Sequence, residues 1–348
     1  MASFMTFPMT FPTTSVTTSV TTTNATPSAA QSITTIINGS LIDSLSSQDR
    51  GLQYGDGFFT TLLVTGEQLL NWSGHWRRIE NSARRLQFPP QNQHALFEQI
   101  KQAVAVFNVT KSRVETNKVV KLILTRGKGG RGYQMPDAPN ISVILQVSLA
   151  PIGIEEMTCE AGSSVRWFAF PKPIELAVCE TLCGIQPQLA GLKHLNRLEN
   201  VLARTEITTK NKQEGVMLNA YQQVIGGTQS NLFLLKGRYL ATPQLTDSGV
   251  EGTTRHQLSL LAETLGLRWQ ESIVTLDDLL HADEIFMANA VRGIMPVGQF
   301  GQQFYPSVQT FTLHQAWSNW QAANAVSLSL GAETDAVTDA TSPVKRSR

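Results

Sequence analysis

Apolar residues along the first half of the chain recur at every second position or in short unbroken runs, the periods of half-buried and fully buried strands. ITTIIN (33–38) predicts a strand that stops at the Asn38-Gly39 turn signal. FFTTLLVT (58–65), KVVKLILTR (118–126) and ISVILQVSL (141–149) predict three more. Between them the spacing lengthens to that of a helix. Trp76, Ile79, Ala83 and Leu86 share one face of a segment for which Ser73 is the expected N-cap, and a further helix is predicted over 92–107.

The second half opens with a predicted strand SVRWFAF (164–170). Leu195, Leu198, Val201 and Leu202 then recur at i, i+3, i+6 and i+7, which predicts an amphipathic helix with a buried stripe, and Lys193 stands directly ahead of it. GVMLNAYQQVIGGTQSNLFLLKGRYLATP (215–243) reads as hairpins, Thr253 to about Leu265 as a helix, 276–290 as a helix followed by a strand, and 308–322 as a last helix. Strands and helices mix without strict βαβ alternation, which favours α+β architecture in two domains. Pro151 is a plausible junction, so the expected domains are 33–150 and 151–323. The Thr/Ser-rich segment 1–32 contains no charged residue, the first being Asp43, and fits neither a secretory nor a transit signal. That segment and 324–348 are expected to be disordered tails.

Composition narrows the class without naming a function. The chain has 348 residues, 41% hydrophobic and 16% charged, with a net charge of +1. That balance suits a soluble, core-forming protein and offers no global field for nucleic acid or an anionic membrane. No apolar run approaches the ~18 residues of a spanning helix. Cys159, Cys179 and Cys183 form no metal-binding pattern; Cys179 and Cys183, four apart, fit a small disulfide or two core thiols equally. A reducing, cytoplasmic setting is the simplest reading, with no metal.

Candidate chemistry lies in three places. A lysine held in a partly dry cavity beside another cation loses proton affinity, which frees its amine for carbonyl chemistry, and Lys193 is placed for this. Gly249-Val250-Glu251-Gly252-Thr253-Thr254-Arg255 runs into a helix, whose free N–H groups, dipole and two threonine hydroxyls suit phosphate. Arg78 lies close to its helix's apolar stripe. RGKGGRGY (126–133) lacks the GK[ST] ending of a P-loop but presents Arg126 and Arg131, whose guanidiniums match carboxylates. A lysine, a phosphate-ready helix end and an arginine together suggest pyridoxal 5′-phosphate.

The segments SSQDRGLQYGDGFFTT (46–61), HWRRIENSARRL (75–86), TRGKGGRGY (125–133), AGLKHLNRLENVLARTE (190–206), SNLF (230–233) and ADEIFMANA (282–290) resemble the branched-chain aminotransferase-like, fold type IV group of pyridoxal-phosphate enzymes. Within it, TRGKGGRGY and GLKHLNRLE look most like the aminodeoxychorismate lyases, whereas aminotransferases usually have tyrosine after the asparagine that Arg197 follows here. The resemblance implies a small α/β domain, then a larger pseudo-barrel domain, with the cofactor between them in a homodimer. It implies Lys193 as the Schiff-base lysine and proton carrier. Arg78, Thr253, Thr254 and the Asn289–Ala290 turn would hold the cofactor phosphate. Asn196 and Arg197 would lie beside the ring, with Arg126, Arg131 and Tyr133 near substrate carboxylates. The implied reaction turns 4-amino-4-deoxychorismate into 4-aminobenzoate and pyruvate; D-amino-acid or branched-chain transamination, or a non-catalytic descendant, are the alternatives.

One position departs from the resemblance. Where the group carries a glutamate that pairs with the cofactor's pyridine nitrogen, five residues before the Asn of SNLF, this chain has Gly226, flanked by neutral Thr228 and Gln229. Losing that charge implies a weakened electron sink and an impaired enzyme.

Overall fold

The computed structural model describes residues 33–111, 117–150 and 168–329. The expected tails up to 32 and from 330, the Pro151 junction, Cys159 and the start of the 164–170 strand lie outside these. In chain order the first half contains β1 (Thr34–Ile37), α1 (Arg50–Tyr54), β2 (Gly57–Thr65), β3 (Gln68–Leu69), α2 (Trp72–Arg85), α3 (Gln93–Lys111), β4 (Lys118–Thr125) and β5 (Ser142–Leu149). The second half contains β6 (Ile174–Val178), α4 (Leu198–Thr209), β7 (Glu214–Leu218), β8 (Val224–Gly227), β9 (Asn231–Lys236), β10 (Tyr239–Pro243), α5 (Thr253–Thr264) and β11 (Arg268–Ser272). It continues with α6 (Leu276–Leu280), β12 (Glu284–Asn289), β13 (Gly293–Phe300), β14 (Gln303–Phe304), α7 (Val308–Ala323) and β15 (Val326–Ser327).

The first sheet runs β1-β5-β4-β2-β3-β15, with every pairing antiparallel. One face carries Phe58, Leu62, Val120, Leu122, Leu124, Leu145 and Val147, packed on Ile79 and Ala83 of α2 and on Leu96, Ile100, Ala103 and Phe107 of α3. Period-2 alternation therefore puts Phe59, Thr61 and Lys121 on the other face, where they are only half-buried. β2 and β4 pair so that Thr61 stands opposite Lys121 and Phe59 opposite Ile123.

The second sheet runs β11-β10-β9-β12-β13-β6-β7-β8, with β14 added beside β13. Its pairings are mixed: β10–β11, β13–β6 and β6–β7 are parallel and the rest antiparallel. At its β8 end the Gly227 N–H donates to the Ser230 carbonyl at 2.7 Å, a tight turn that feeds the chain into β9, and the sheet as a whole is curled into a half-barrel. Phe233, Leu258, Phe286, Leu313 and Trp317 knit this sheet to α5 and α7.

Three expectations need correcting. α2 begins at Trp72 after Asn71, so Ser73 lies inside the helix and is not its cap. The helix expected to follow Lys193 directly starts five residues later, and its apolar stripe faces outward: Leu198, Val201 and Leu202 are 78%, 58% and 59% exposed, while Ala203 and Ile207 supply the buried side. Finally, the C-terminal tail does not begin at 324. Val326 and Ser327 pair with β3 and Leu328 is buried in the first core, because the edge of β3 would otherwise present unpaired N–H and C=O groups. Cys179 and Cys183 are buried free thiols, and burial pushes both up to about 12.

Candidate active site

Lys193 sits in an irregular strap, residues 191–195, held by backbone hydrogen bonds on both sides. On one side the Gly191 N–H donates to Gly249 O at 3.0 Å and the Glu251 N–H donates to Gly191 O at 2.9 Å. On the other, the Phe59 N–H donates to Lys193 O at 2.9 Å and the Leu195 N–H donates to Gly57 O at 3.1 Å. The strap thus ties the loop ahead of α5 to the leading end of β2, and leaves the lysine side chain little backbone freedom.

Its surroundings strip the ammonium of water and add repulsion. The Lys193 Nζ lies 4.7 Å from the centroid of the Phe59 ring. Burial first, then the charges of Arg78, Arg197 and Lys121, bring its pKa from 10.5 down to about 7. Near neutral pH a large fraction of this amine is unprotonated, the form that attacks carbonyl carbon and accepts a proton. Arg197 donates to Asn200 Oδ1 at 3.2 Å and rests against the His194 ring. Burial and Arg197 lower His194 to about 4, so its ring stays neutral in ordinary buffers.

Beside the strap is a cavity of about 290 Å³ lined by Arg78, Ser82, Gly191, Glu251, Gly252 and Thr253, among others. Arg78 is fixed at its mouth. Its Nη2 donates to Glu251 O at 2.8 Å and its Nη1 to Thr60 Oγ1 at 3.3 Å, and Thr60 in turn meets the buried His75 Nδ1 at 2.6 Å. Burial, with the charges of Arg78 and Lys193, holds His75 well below its usual value, so it is a neutral strut. Gly252 precedes α5 with no side-chain cap, and a β-carbon there would stand 2.0 Å from Asn231 Oδ1. Any larger residue there would have to displace the Asn231 side chain, whose Nδ2 donates to Val250 O at 2.8 Å. The Thr253 and Thr254 hydroxyls are buried and have no hydrogen-bond partner. Unpaired buried donors beside a guanidinium and an uncapped helix N-terminus are what a phosphate monoester satisfies, so these residues fit the phosphate of the expected cofactor.

The structure therefore brings Arg78 and Thr253 to one cavity, with Thr254 next to it in α5; Lys193 follows directly on the lining residues Gly191 and Leu192, within electrostatic reach of Arg78 and Arg197. Other expected residues are engaged elsewhere. Asn196 is exposed and packs over Gly55. Asn289 uses Oδ1 to accept from the Val291 and Arg292 N–H groups and Nδ2 to donate to Ser230 Oγ at 3.1 Å, so its side chain builds the turn that contains Ala290. Gly226 lies on β8 opposite Met217. The nearby buried carboxylate, Glu214, accepts from the Gly215 and Thr228 N–H groups and the Thr228 hydroxyl at Oε1 and from the Ser230 hydroxyl at Oε2, bonds that tie it to the β7–β8 and β8–β9 backbone.

The residues of the expected loop differ in setting. Arg126 is 2% exposed, and its three guanidinium nitrogens donate to Asp56, to Gln87 O at 3.0 Å and to Leu86 O at 2.7 Å. With Arg50 on the same Asp56 it forms a buried ion-pair network. Arg50 also donates to the carbonyls of Gly132, Tyr133 and Gln134, which pins the loop, while Arg131 and Tyr133 point into solvent, Tyr133 against Tyr54 at 5.4 Å. Phe59, Thr60, His75 and Lys121 were not among the expected site residues. For Phe59 and Lys121 the available signal was alternation: both occupy the face of their strands away from the core, where a lysine inside an apolar run has no packing reason to be.

Known proteins similar to this chain in sequence and fold include lyases and aminotransferases. Aminodeoxychorismate lyase of Vibrio harveyi is 34% identical over 269 residues, 75% of this chain and 89% of its own length. The crystal structure of 4-amino-4-deoxychorismate lyase from Pseudomonas aeruginosa superposes with a TM-score of 0.68 at 35% identity, covering 81% of this chain and 97% of that one. D-alanine aminotransferase of Bacillus licheniformis is 26% identical over 275 residues, 75% of this chain and 86% of its own. The α+β architecture with its curled second sheet is fold type IV of the pyridoxal-phosphate enzymes, as the sequence led us to expect. A match to the family described as amino-transferase class IV spans residues 57–300, and the chain belongs to that family.

Proposed function

We propose that this protein is a pyridoxal-phosphate-dependent lyase that converts 4-amino-4-deoxychorismate to 4-aminobenzoate and pyruvate. The observation that carries the reading is the desolvated Lys193 amine, brought to about 7 and strapped beside a cavity that fits a phosphate. The choice of lyase over transamination rests on the higher identity to the two lyases than to the aminotransferase, and on Arg197.

Arg78, Thr253 and Thr254 bind the phosphate, and Thr60 and His75 keep the Arg78 guanidinium aimed at it. The bound cofactor supplies an electron sink for the substrate carbon that bears nitrogen. Lys193, once its amine is displaced by the substrate's, takes the proton from that carbon, and the Phe59 ring and neighbouring cations keep the amine neutral enough to accept it. Loss of the enolpyruvyl oxygen substituent then makes the six-membered ring aromatic, so positioning and proton transfer are the main demands. Gly226 places no carboxylate on β8, and an uncharged position there weakens the electron sink. The reading therefore includes a slow chemical step.

The exposed apolar stripe of Leu198, Val201 and Leu202 supports a homodimer, because a monomer gains nothing by showing it to water. Domain limits of 33–150 and 151–323 are part of the same reading, supported by the two sheets drawing their strands from either side of residue 150, β15 excepted. Among the described residues no helix is long and apolar enough to cross a membrane, and we place the enzyme in the cytoplasm acting on a small molecule.

Purified protein with pyridoxal phosphate should show a visible-violet absorbance that borohydride erases, and should release pyruvate from aminodeoxychorismate. Lys193→Ala should abolish both; persistence of either refutes the assignment. Keto-acid formation from an amino donor without pyruvate release would establish the aminotransferase alternative. Cofactor uptake with neither reaction would establish the non-catalytic descendant that Gly226 favours.

A further inference from the structure

The second sheet carries a cavity that the Lys193 chemistry does not use. Antiparallel pairing sets Tyr239 opposite Lys236 and Ala241 opposite Leu234, and parallel pairing sets Gln270 beside Ala241 and Ser272 beside Pro243. Leu234 and Ala241 lie on the face that builds a core with Val274, Leu279 and Ala282, whereas Phe233, Leu235 and Leu240 of the same strands pack toward α5 and α7. α6 covers the first of these faces and is only five residues long, and Ala241 offers just a methyl group to fill the space beside it. The result is a cavity of about 280 Å³ with an apolar floor of Leu234, Ala241, Val274 and Ala282. Its lining comes from β9, β10, β11 and α6 and is separate from that of the phosphate cavity.

The walls set the chemistry of an occupant. Tyr239 is held in place by Arg268, which donates from Nη1 to its hydroxyl at 3.2 Å and lies 5.7 Å from its ring centroid. Ile273 stands at the rim, 54% exposed. Lys236, Gln270 and Ser272 bring an ammonium, an amide and a hydroxyl to the same cavity, and among the described residues none of these side chains makes a hydrogen bond or ion pair. Asp278 also lines it, but its Oδ2 accepts from the Thr275 N–H at 2.8 Å and the Thr275 hydroxyl at 2.7 Å, which commits that charge to capping α6.

We propose that this cavity is a second ligand site, one that takes a small aromatic carboxylate. The ring lies on the Leu234–Ala241 floor beside Tyr239, and the acid group meets Lys236, with Gln270 and Ser272 as further donors. A flat apolar ring displaces water that an apolar floor holds poorly, and the volume suits one ring with a substituent. Lys236 is exposed, so its charge orients the ligand more than it tightens binding. The site stands apart from the lyase reading and holds whichever reaction Lys193 serves.

The test titrates benzoate into the pyridoxal-phosphate-loaded protein carrying isotope-labelled alanine and isoleucine methyl groups, and follows the Ala241, Ala282 and Ile273 methyls by NMR. These should shift saturably with a Kd of about 1 mM, the affinity of a one-ring ligand. Benzamide should bind about 2- to 5-fold more weakly, the value of one exposed charge pair, and acetate should give no saturable shift. Lys236→Met should erase the difference between benzoate and benzamide, and Lys236→Arg should retain it. Ala241→Leu fills the floor and should abolish the shifts at Ala282 and Ile273, with cofactor absorbance and turnover unchanged. Ala282→Leu, read at Ala241 and Ile273, serves if that variant does not fold. Absence of a saturable shift up to about ten times the expected Kd, or shifts that persist in both filled variants, overturns the proposal. Equal binding of benzoate and benzamide overturns it as a site for an acid, and equal binding of acetate overturns it as a site for an aromatic ring.

Discussion

Phe59 holds Lys193 twice: its backbone N–H donates to the lysine carbonyl at 2.9 Å, and its ring lies 4.7 Å from the lysine ammonium. The same residue therefore fixes where the lysine is and how dry it is. Its consequence is measurable as a pH dependence of stability. In the unfolded chain Lys193 stays protonated up to about 10.5, whereas in the folded chain it releases its proton at about 7. Between those values the unfolded state holds the extra proton, so the contribution of this group to stability rises with pH across that window, and the full penalty is present below it. Lys193→Met removes the charge. It should raise the Tm of the cofactor-free protein well below neutrality and lose that advantage above about pH 10.5, as followed by calorimetry. An equal shift at both extremes would show that the amine is solvated.

The Arg78–Thr60–His75 relay should govern cofactor affinity. Thr60→Val removes the hydroxyl that accepts from Arg78 and meets His75, with little change of shape. Pyridoxal-phosphate affinity should fall about 10-fold, the value of one hydrogen bond to a charged group. Because burial keeps His75 neutral, titration of cofactor binding between about pH 6 and 8 should show no step from this histidine.

Asp56 neutralises two buried guanidiniums, those of Arg50 and Arg126, at 2.8 and 2.9 Å. Asp56→Asn leaves both unpaired and should cost about 3–5 kcal/mol in chemical denaturation. Arg126→Ala should likewise lower stability while the folded fraction keeps its KM for aminodeoxychorismate. A large rise in KM at unchanged stability would return Arg126 to the substrate.

Gly226→Glu should speed the chemical step, by roughly 10²–10³-fold if a charge on β8 reaches the cofactor ring. The new β-carbon would stand 3.1 Å from Ser230 O, a close contact that the β8–β9 turn must relax. Single-turnover absorbance changes would report the gain. Normal turnover in the unaltered protein would refute the impairment.

Much of this was legible before any coordinates. The strands at 58–65, 118–126 and 141–149 and the helix from Thr253 were readable because each is long and strongly patterned, and Lys193, Arg78 and Thr253–Thr254 carried recognisable chemistry. The failures have physical causes. Periodicity shows that Leu198, Val201 and Leu202 share a face, but not whether that face meets a core or the outside. The ion pair of Arg126 was not legible because its partner, Asp56, lies 70 residues earlier and only the sheet brings them together. Lys121 was hidden because an alternating strand reads the same whether its second face meets water or the surroundings of another lysine.

β3 is two residues long, and its outer edge is filled by Val326–Ser327, secured where the Leu328 N–H donates to Glu67 O at 2.8 Å. That arrangement sets an order on biosynthesis. Strands made early must wait through translation of some 250 intervening residues before their last ladder partner leaves the ribosome. Until then the nascent N-terminal half carries an open seam, and the chaperones that shield such seams have their longest opportunity there.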